Sequence, residues 1–176
     1  ADMYVRLEDV RYEGVARSNI ADTLRQLKRY DEARQEIRRA IACKEQIGLA
    51  AEPWKSFAIL HDIELAEGHA AAAKAAWQQA RAAYLAYRRQ GGYARNPGGK
   101  LADQLVEAMQ QEKGEEMAQK LGQLAKADDT PDWLRAVAPL LLAVLNGSRD
   151  PALADDPALS YASAAELLFL MERLGE

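Results

Sequence analysis

The chain has 176 residues, 49% apolar and 28% charged, with 11 glycines, 6 prolines, one cysteine and a formal net charge of −4. Those proportions exclude a disordered, fibrous or disulfide-built chain, and the acidic balance argues against bulk nucleic-acid binding. Alanine is abundant while Val, Ile and Phe are scarce, a bias toward helix over sheet.

Residues 1–7 open on a small alanine and run to Leu7. Residues 13–27 carry Val15, Ile20, Leu24 and Leu27 at helical spacing, with Ala16 and Ala21 between them. This predicts a first helix. Lys28-Arg29-Tyr30 is the turn. Asp31 is the expected cap of a second helix to about Ile47, with Ala33, Ile37, Ala40, Ile41 and Ile47 inward and Gly48 as its stop. A second helix pair is expected over about 53–66 and 70–90, with Pro53 in a first turn and Gly68 between the helices.

Residues 91–99 contain four glycines and one proline, a connection flanked by Arg88, Arg89, Arg95 and Lys100. A phosphate-cradling loop would need the Lys-Ser/Thr ending of a P-loop and a preceding strand, and neither is present. Four more helices are expected at about 99–112, 115–127, 132–146 and 161–174. Thr130-Pro131 is the expected start of the third of these and Pro139 a kink within it. Ser163 with Glu166 is a possible capping box for the last.

The chain repeats itself. Ala1, Ala40 and Ala80 each begin a run of about two turns toward a bulky residue, at spacings of 39 and 40, and Ala33 and Ala73 are again 40 apart. With Ala21, Leu24, Tyr30, Asp31, Glu32, Ala33, Ile37 and Ala40 in one repeat, and Leu60, Gly68, Ala73, Trp77 and Ala80 in the next, residues 1–90 resemble the tetratricopeptide repeat (TPR) family. The period is 39–40 rather than the family's 34, and His61 and Glu64 stand where a small and a bulky apolar residue are usual. The resemblance implies an all-α, antiparallel helix-hairpin array coiling as a right-handed superhelix. Residues 1–90 would be repeats, 91–99 a Gly-rich loop and 100–176 a helical C-terminal cap. Ala1 aligns with the middle of a second helix, so the register predicts a truncated first repeat, further repeats upstream, and a weak homodimer through Tyr4, Val5 and Leu7.

The function expected from this resemblance is protein or peptide binding, in the cytoplasm, with no catalysis in this segment. The alternative is a regulatory, sensor or oligomerisation segment of a multidomain signalling NTPase. Carried over by register, the concave groove takes Val15, Ser18, Asp22, Arg25 and Gln26 from one helix and Lys55, Ala58, Asp62 and Leu65 from another. Arg25 and Lys55 are the expected contacts to an acidic segment. A rival surface gathers Tyr87, Arg88, Arg89 and Arg95, with Tyr84, Tyr93 and Arg81 close in sequence.

No other chemistry is expected: no cofactor, no metal, no nucleic acid and no membrane partner. His61 and His69 are the only histidines and lack the i,i+4 spacing of a helical zinc site. His61, Asp62, Glu64 and Glu67 read as surface charge beside one packed histidine, with Trp77 in the core and Cys43 on a buried stripe. The acidic pairs at 115–116, 128–129 and 155–156 are sequence neighbours, which do not face each other on a helix. Charge is uneven along the chain. Residues 1–99 hold 16 Lys+Arg against 13 Asp+Glu, and residues 100–176 hold 7 against 14. The run Ala136–Leu145 is the longest apolar stretch and is far shorter than the roughly 18 residues a membrane span needs.

Overall fold

The computed structural model describes residues 2–94 and 96–175, with the side chains of residues 2–5 and 7 outside that description. All regular structure among the described residues is helical: α1 (Asp2–Gln26), α2 (Tyr30–Ile47), α3 (Pro53–Ala66), α4 (Ala70–Arg89), α5 (Pro97–Gln110), α6 (Gly114–Leu124), α7 (Asp132–Leu145) and α8 (Tyr161–Arg173). Short 3-10 turns occupy Leu49–Ala51 and Pro151–Asp155. No helix among the described residues is long and apolar enough to cross a membrane. The chain divides into two compact units, residues 1–87 and 88–176.

The first unit is two antiparallel helix hairpins. Gly14, Arg17 and Ala21 turn α1 toward α2, where Arg17 pairs with Glu36 at 2.7 Å. Small residues make the close approach possible. A Cβ on Gly14 would lie 3.2 Å from the Cys43 Cβ, while Ala21, Ala33 and Ala40 are fully buried. In the second hairpin Trp54 of α3 packs on Tyr84 and Tyr87 of α4, and His61 hydrogen-bonds the Ala73 carbonyl at 2.9 Å. Ala73 and Ala80, each 40 residues after Ala33 and Ala40, are buried like their counterparts.

The structure corrects several local expectations here. The backbone runs unbroken from Asp2 to Gln26, so residues 1–7 and 13–27 are not two helices. Val15 and Ile20 are exposed, because the contact with α2 falls on Gly14 and Ala21 one position away, and Leu27, in the turn after α1, is exposed too. Helix α2 begins at Tyr30 with Arg29 in the cap position, which leaves Asp31 in the first turn. The core tryptophan is Trp54. Trp77 is half-buried beneath the Arg81 guanidinium, 4.9 Å from its ring.

In the second unit α5 packs on α8 and α6 on α7. Leu105, Leu121, Leu141, Val144, Leu167 and Leu170 form its buried apolar core. Pro97-Gly98-Gly99 is the first turn of α5 rather than loop, capped by the Asn96 side chain accepting from the Gly99 N–H at 2.7 Å. Thr130 closes the segment before it instead of opening α7, its hydroxyl donating to the carbonyls of Ala127 and Leu124. The cap of α8 is Ser160, which accepts from the Ser163 N–H at 3.1 Å. Glu166, expected to reciprocate, is buried elsewhere.

Candidate functional site

In the first unit α1 and α3 lie side by side, fastened by a hydrogen bond of 2.9 Å between the Ser18 and Ser56 hydroxyls. Ser18 also donates to the Gly14 carbonyl of its own helix. With 6% of its surface exposed, Ser18 is a strut between helices and not a groove contact, which corrects its expected role. A buried hydroxyl must find a partner, and each serine supplies the other's.

The other positions expected to line a groove reach the surface to differing degrees. Val15 and Gln26 are exposed on α1, with Asp22 and Arg25 half-buried between them. On α3, Lys55, Asp62 and Leu65 are exposed and Ala58 is half-buried. Asp22, Arg25 and Lys55 already have partners. Arg25 bonds Asp22 at 2.9 Å and Gln26 donates to the other Asp22 oxygen at 2.9 Å. Lys55 pairs with Glu52 at 2.5 Å. An acidic ligand would exchange these contacts for its own. Exposed pairs of this kind contribute only about 0–1 kcal/mol, so the exchange costs little.

The rival basic surface does not survive as a set of free cations. Tyr87 stacks at 4.8 Å on Trp54. Arg88 is 4% exposed, and its guanidinium donates to Glu166 at 3.0 Å, to the Gly92 carbonyl at 2.8 Å and to Asp103 at 2.5 Å, above the ring of Phe169. Arg89 makes a two-pronged pair with Glu172. Arg95 lies outside the described residues, as do the side chains of Tyr4, Val5 and Leu7. Helix spacing could not show this, since the partners Asp103 and Glu166 are 15 and 78 residues away.

Glu166 also bears on the Gly-rich segment. A Cβ on Gly99 would collide with the Glu166 carboxylate, so that carboxylate sits at the N-terminus of α5. A helix N-terminus favours an anion there, and the chain supplies its own. A phosphate brought to this helix start would meet the Glu166 carboxylate.

Glu64, Glu67 and His69 bring three potential metal-ligand atoms within 4.8 Å of one another. His61 is not among them, since its ring nitrogen is committed to Ala73. Arg34 decides the chemistry of the cluster. It donates to both Glu64 oxygens, the closer at 2.8 Å, and pairs with Glu67. The guanidinium holds the Glu64 carboxyl below its ordinary range, with His69 adding to the effect. Carboxylates neutralised by a half-buried arginine form an ion-pair network joining α2 to α3 and do not fit a dication. In the second unit a shallow pocket of about 180 Å³ between α5 and α6 is lined by Glu107, Lys113, Glu116 and Lys120 among others. Small-molecule sites usually enclose about 300–1,000 Å³.

Two features escaped the sequence reading. Lys44 is 5% exposed and makes no ion pair with a described residue, and burial pushes its ammonium below the ordinary lysine range. Cys43 beside it is buried, and burial raises its thiol. The second feature is an exposed apolar stripe on α1, formed by Tyr12 (70% exposed), Val15 and Ile20, with Leu27 (61% exposed) in the turn just past its end. Its signal lay in the sequence, as apolar residues at helical spacing, but that spacing is the same for a core face.

No protein-family model, curated protein or solved structure matches the chain.

Proposed function

We propose that this chain is a protein- or peptide-binding module, built on TPR-like helix hairpins that coil as a superhelix, and that this segment carries no catalysis. The observation behind the reading is the pairing of α1 with α3. The Ser18–Ser56 bond sets two first helices side by side, and their outward positions form one mixed polar and apolar surface. The 40-residue recurrence of buried alanines supports the repeat character of the scaffold. The buried charges support the same reading, because Arg88, Glu166, Arg34 and Glu64 are consumed in holding helices together.

The partner is an acidic peptide segment. Arg25 and Lys55 reach it by leaving Asp22 and Glu52, and Val15 and Leu65 add apolar contact. Charge of this kind speeds encounter and makes binding weaken as salt rises. The groove has no aromatic anchor, which keeps affinity modest. Selection from a random displayed-peptide library tests this. Recovered peptides should be enriched in Asp and Glu and should lose binding to an Arg25→Glu plus Lys55→Glu variant that keeps its helical circular dichroism. Peptides that bind the variant equally well, or no recovered peptides at all, would overturn the reading.

A further inference from the structure

Lys44 is the single buried lysine among the eight in the chain, and the other seven are exposed. Three helices converge on it. Its stem lies on Gly14 of α1, where the Gly14 carbonyl accepts from the Ser18 hydroxyl, and Ser18 in turn bonds Ser56 of α3 at 2.9 Å. This pins the first turn of α3, with Lys55 next to Ser56, to the stretch of α1 that supports the Lys44 stem. The connection between α2 and α3 is equally tight. The Gly48 N–H donates to the Lys44 carbonyl, the Glu52 N–H to Leu49 and the Lys55 N–H to Glu52. The Lys44 amine is close enough to Lys55 and Glu52 to feel both charges, yet it makes no ion pair or hydrogen bond with a described residue. Packing explains the stem, which an apolar side chain would supply as well. It leaves the amine without a task.

We propose that the Lys44 amine is a carbamate site, which takes up carbon dioxide reversibly, with the Lys55 ammonium as counter-ion of the product. The Nζ lone pair attacks the carbon of CO2. The N–C bond forms, one C=O bond opens to leave the negative charge on oxygen, and a nitrogen proton passes to water. No oxidant or reductant is needed. Carbon dioxide suits the place because it is small and uncharged, while only 5% of the residue is open to solvent.

The surroundings favour this change of charge. An amine that is out of water and beside another cation holds its proton less firmly and is the better nucleophile. Burial lowers the proton affinity of Lys44, and the Lys55 charge lowers it further, by more than Glu52 restores. The field that repels an ammonium attracts a carbamate. Lys55 would then share its Glu52 contact with the new anion. The other charges at this level of the hairpin are already matched. Glu13 and Arg17 of α1 pair with each other, and Arg17 also pairs with Glu36 of α2. The Cys43 thiol is buried and pushed up, so it adds no charge near neutral pH.

Carbon-13 magnetic resonance of the full chain, equilibrated with labelled bicarbonate at pH 8, tests the site. A carbamate carbonyl signal is expected. Lys44→Met keeps the stem and should remove that signal, while Lys74→Met, at an exposed lysine, should not. Trapping the carbamate as its ethyl ester with triethyloxonium, followed by peptide mass spectrometry, places it at Lys44 and separates it from any carbamate on the α-amine of the chain. Lys55→Met should raise the bicarbonate concentration for half occupancy about threefold or more, because it both restores the proton affinity of Lys44 and removes the counter-charge. At constant pH and ionic strength, bicarbonate in place of chloride should raise the melting temperature of the wild type and leave that of Lys44→Met unchanged. The same melts show that the variants fold. No carbamate at Lys44 under saturating bicarbonate would overturn the proposal. So would a Lys44 carbamate indifferent to Lys55→Met, or equal melting shifts in wild type and Lys44→Met. No peptide takes part in these measurements, so their failure leaves the groove reading untouched.

Discussion

The side chain of Lys44 lies against Gly14, its Cγ only 3.2 Å from where a Gly14 Cβ would stand. Forty residues on, the same two positions hold Tyr84 and Trp54, packed edge to face with ring centroids 5.4 Å apart. The first hairpin thus fills with a lysine stem, over a glycine, the place where the second uses an aromatic pair. The methylenes pack well, but the ammonium is largely taken out of water and makes no ion pair with a described residue, and the pull of the Glu52 carboxylate does not offset the burial.

Lys44→Met should therefore stabilise the protein at pH 7 by about 1 kcal/mol or more, since it keeps the stem and removes the buried charge. The effect depends on pH with a definite sign. The folded-state pKa of Lys44 lies below its unfolded value, so between the two the unfolded chain binds more protons and wild-type stability rises with pH. The advantage of the variant should shrink as pH climbs through that window toward the ordinary lysine value. Urea midpoints of both proteins at pH 7 and pH 10 check this. A variant less stable than wild type at pH 7 would refute it.

Ala33→Leu should destabilise by about 1–3 kcal/mol, because Ala33 is fully buried and extra methylenes there force the helices apart. Arg29→Ala should leave the urea midpoint close to that of wild type, since the Arg29–Glu32 pair is more than half exposed on both sides. Equal urea midpoints for the two variants would contradict the burial pattern of α2.

Arg88→Met should cost about 3–5 kcal/mol, because it leaves the Glu166 carboxylate buried without its cation. Adding Glu166→Leu should recover much of that loss, as an apolar pair replaces the ionic one. A double-mutant cycle read by thermal melting gives the coupling. Additive losses would mean that the two side chains do not depend on each other.

The sequence by itself determined the helical class, the positions of most helix ends and the 40-residue recurrence. Each of these is local. Alanine content and 3.6-residue spacing select helix, glycines at 48 and 68 terminate it, and Ala33, Ala40, Ala73 and Ala80 mark the close contacts. Of the α3 positions it singled out, Lys55, Asp62 and Leu65 are exposed and Ala58 is half-buried.

Tertiary structure alone decided which side of α1 is core. Gly14 and Ala21 take the contact because a close helix pair admits only small side chains, and Val15, Ile20 and Leu27 are turned outward although their spacing is equally regular. It also decided the fate of charges. Arg88, Glu166, Arg34 and Glu64 look like surface residues one at a time, and only partners 30 and 78 residues apart convert them into buried structure. Helical periodicity says that a helix has sides. Which side meets another helix depends on contacts distant in sequence, and those exist only once the chain has folded.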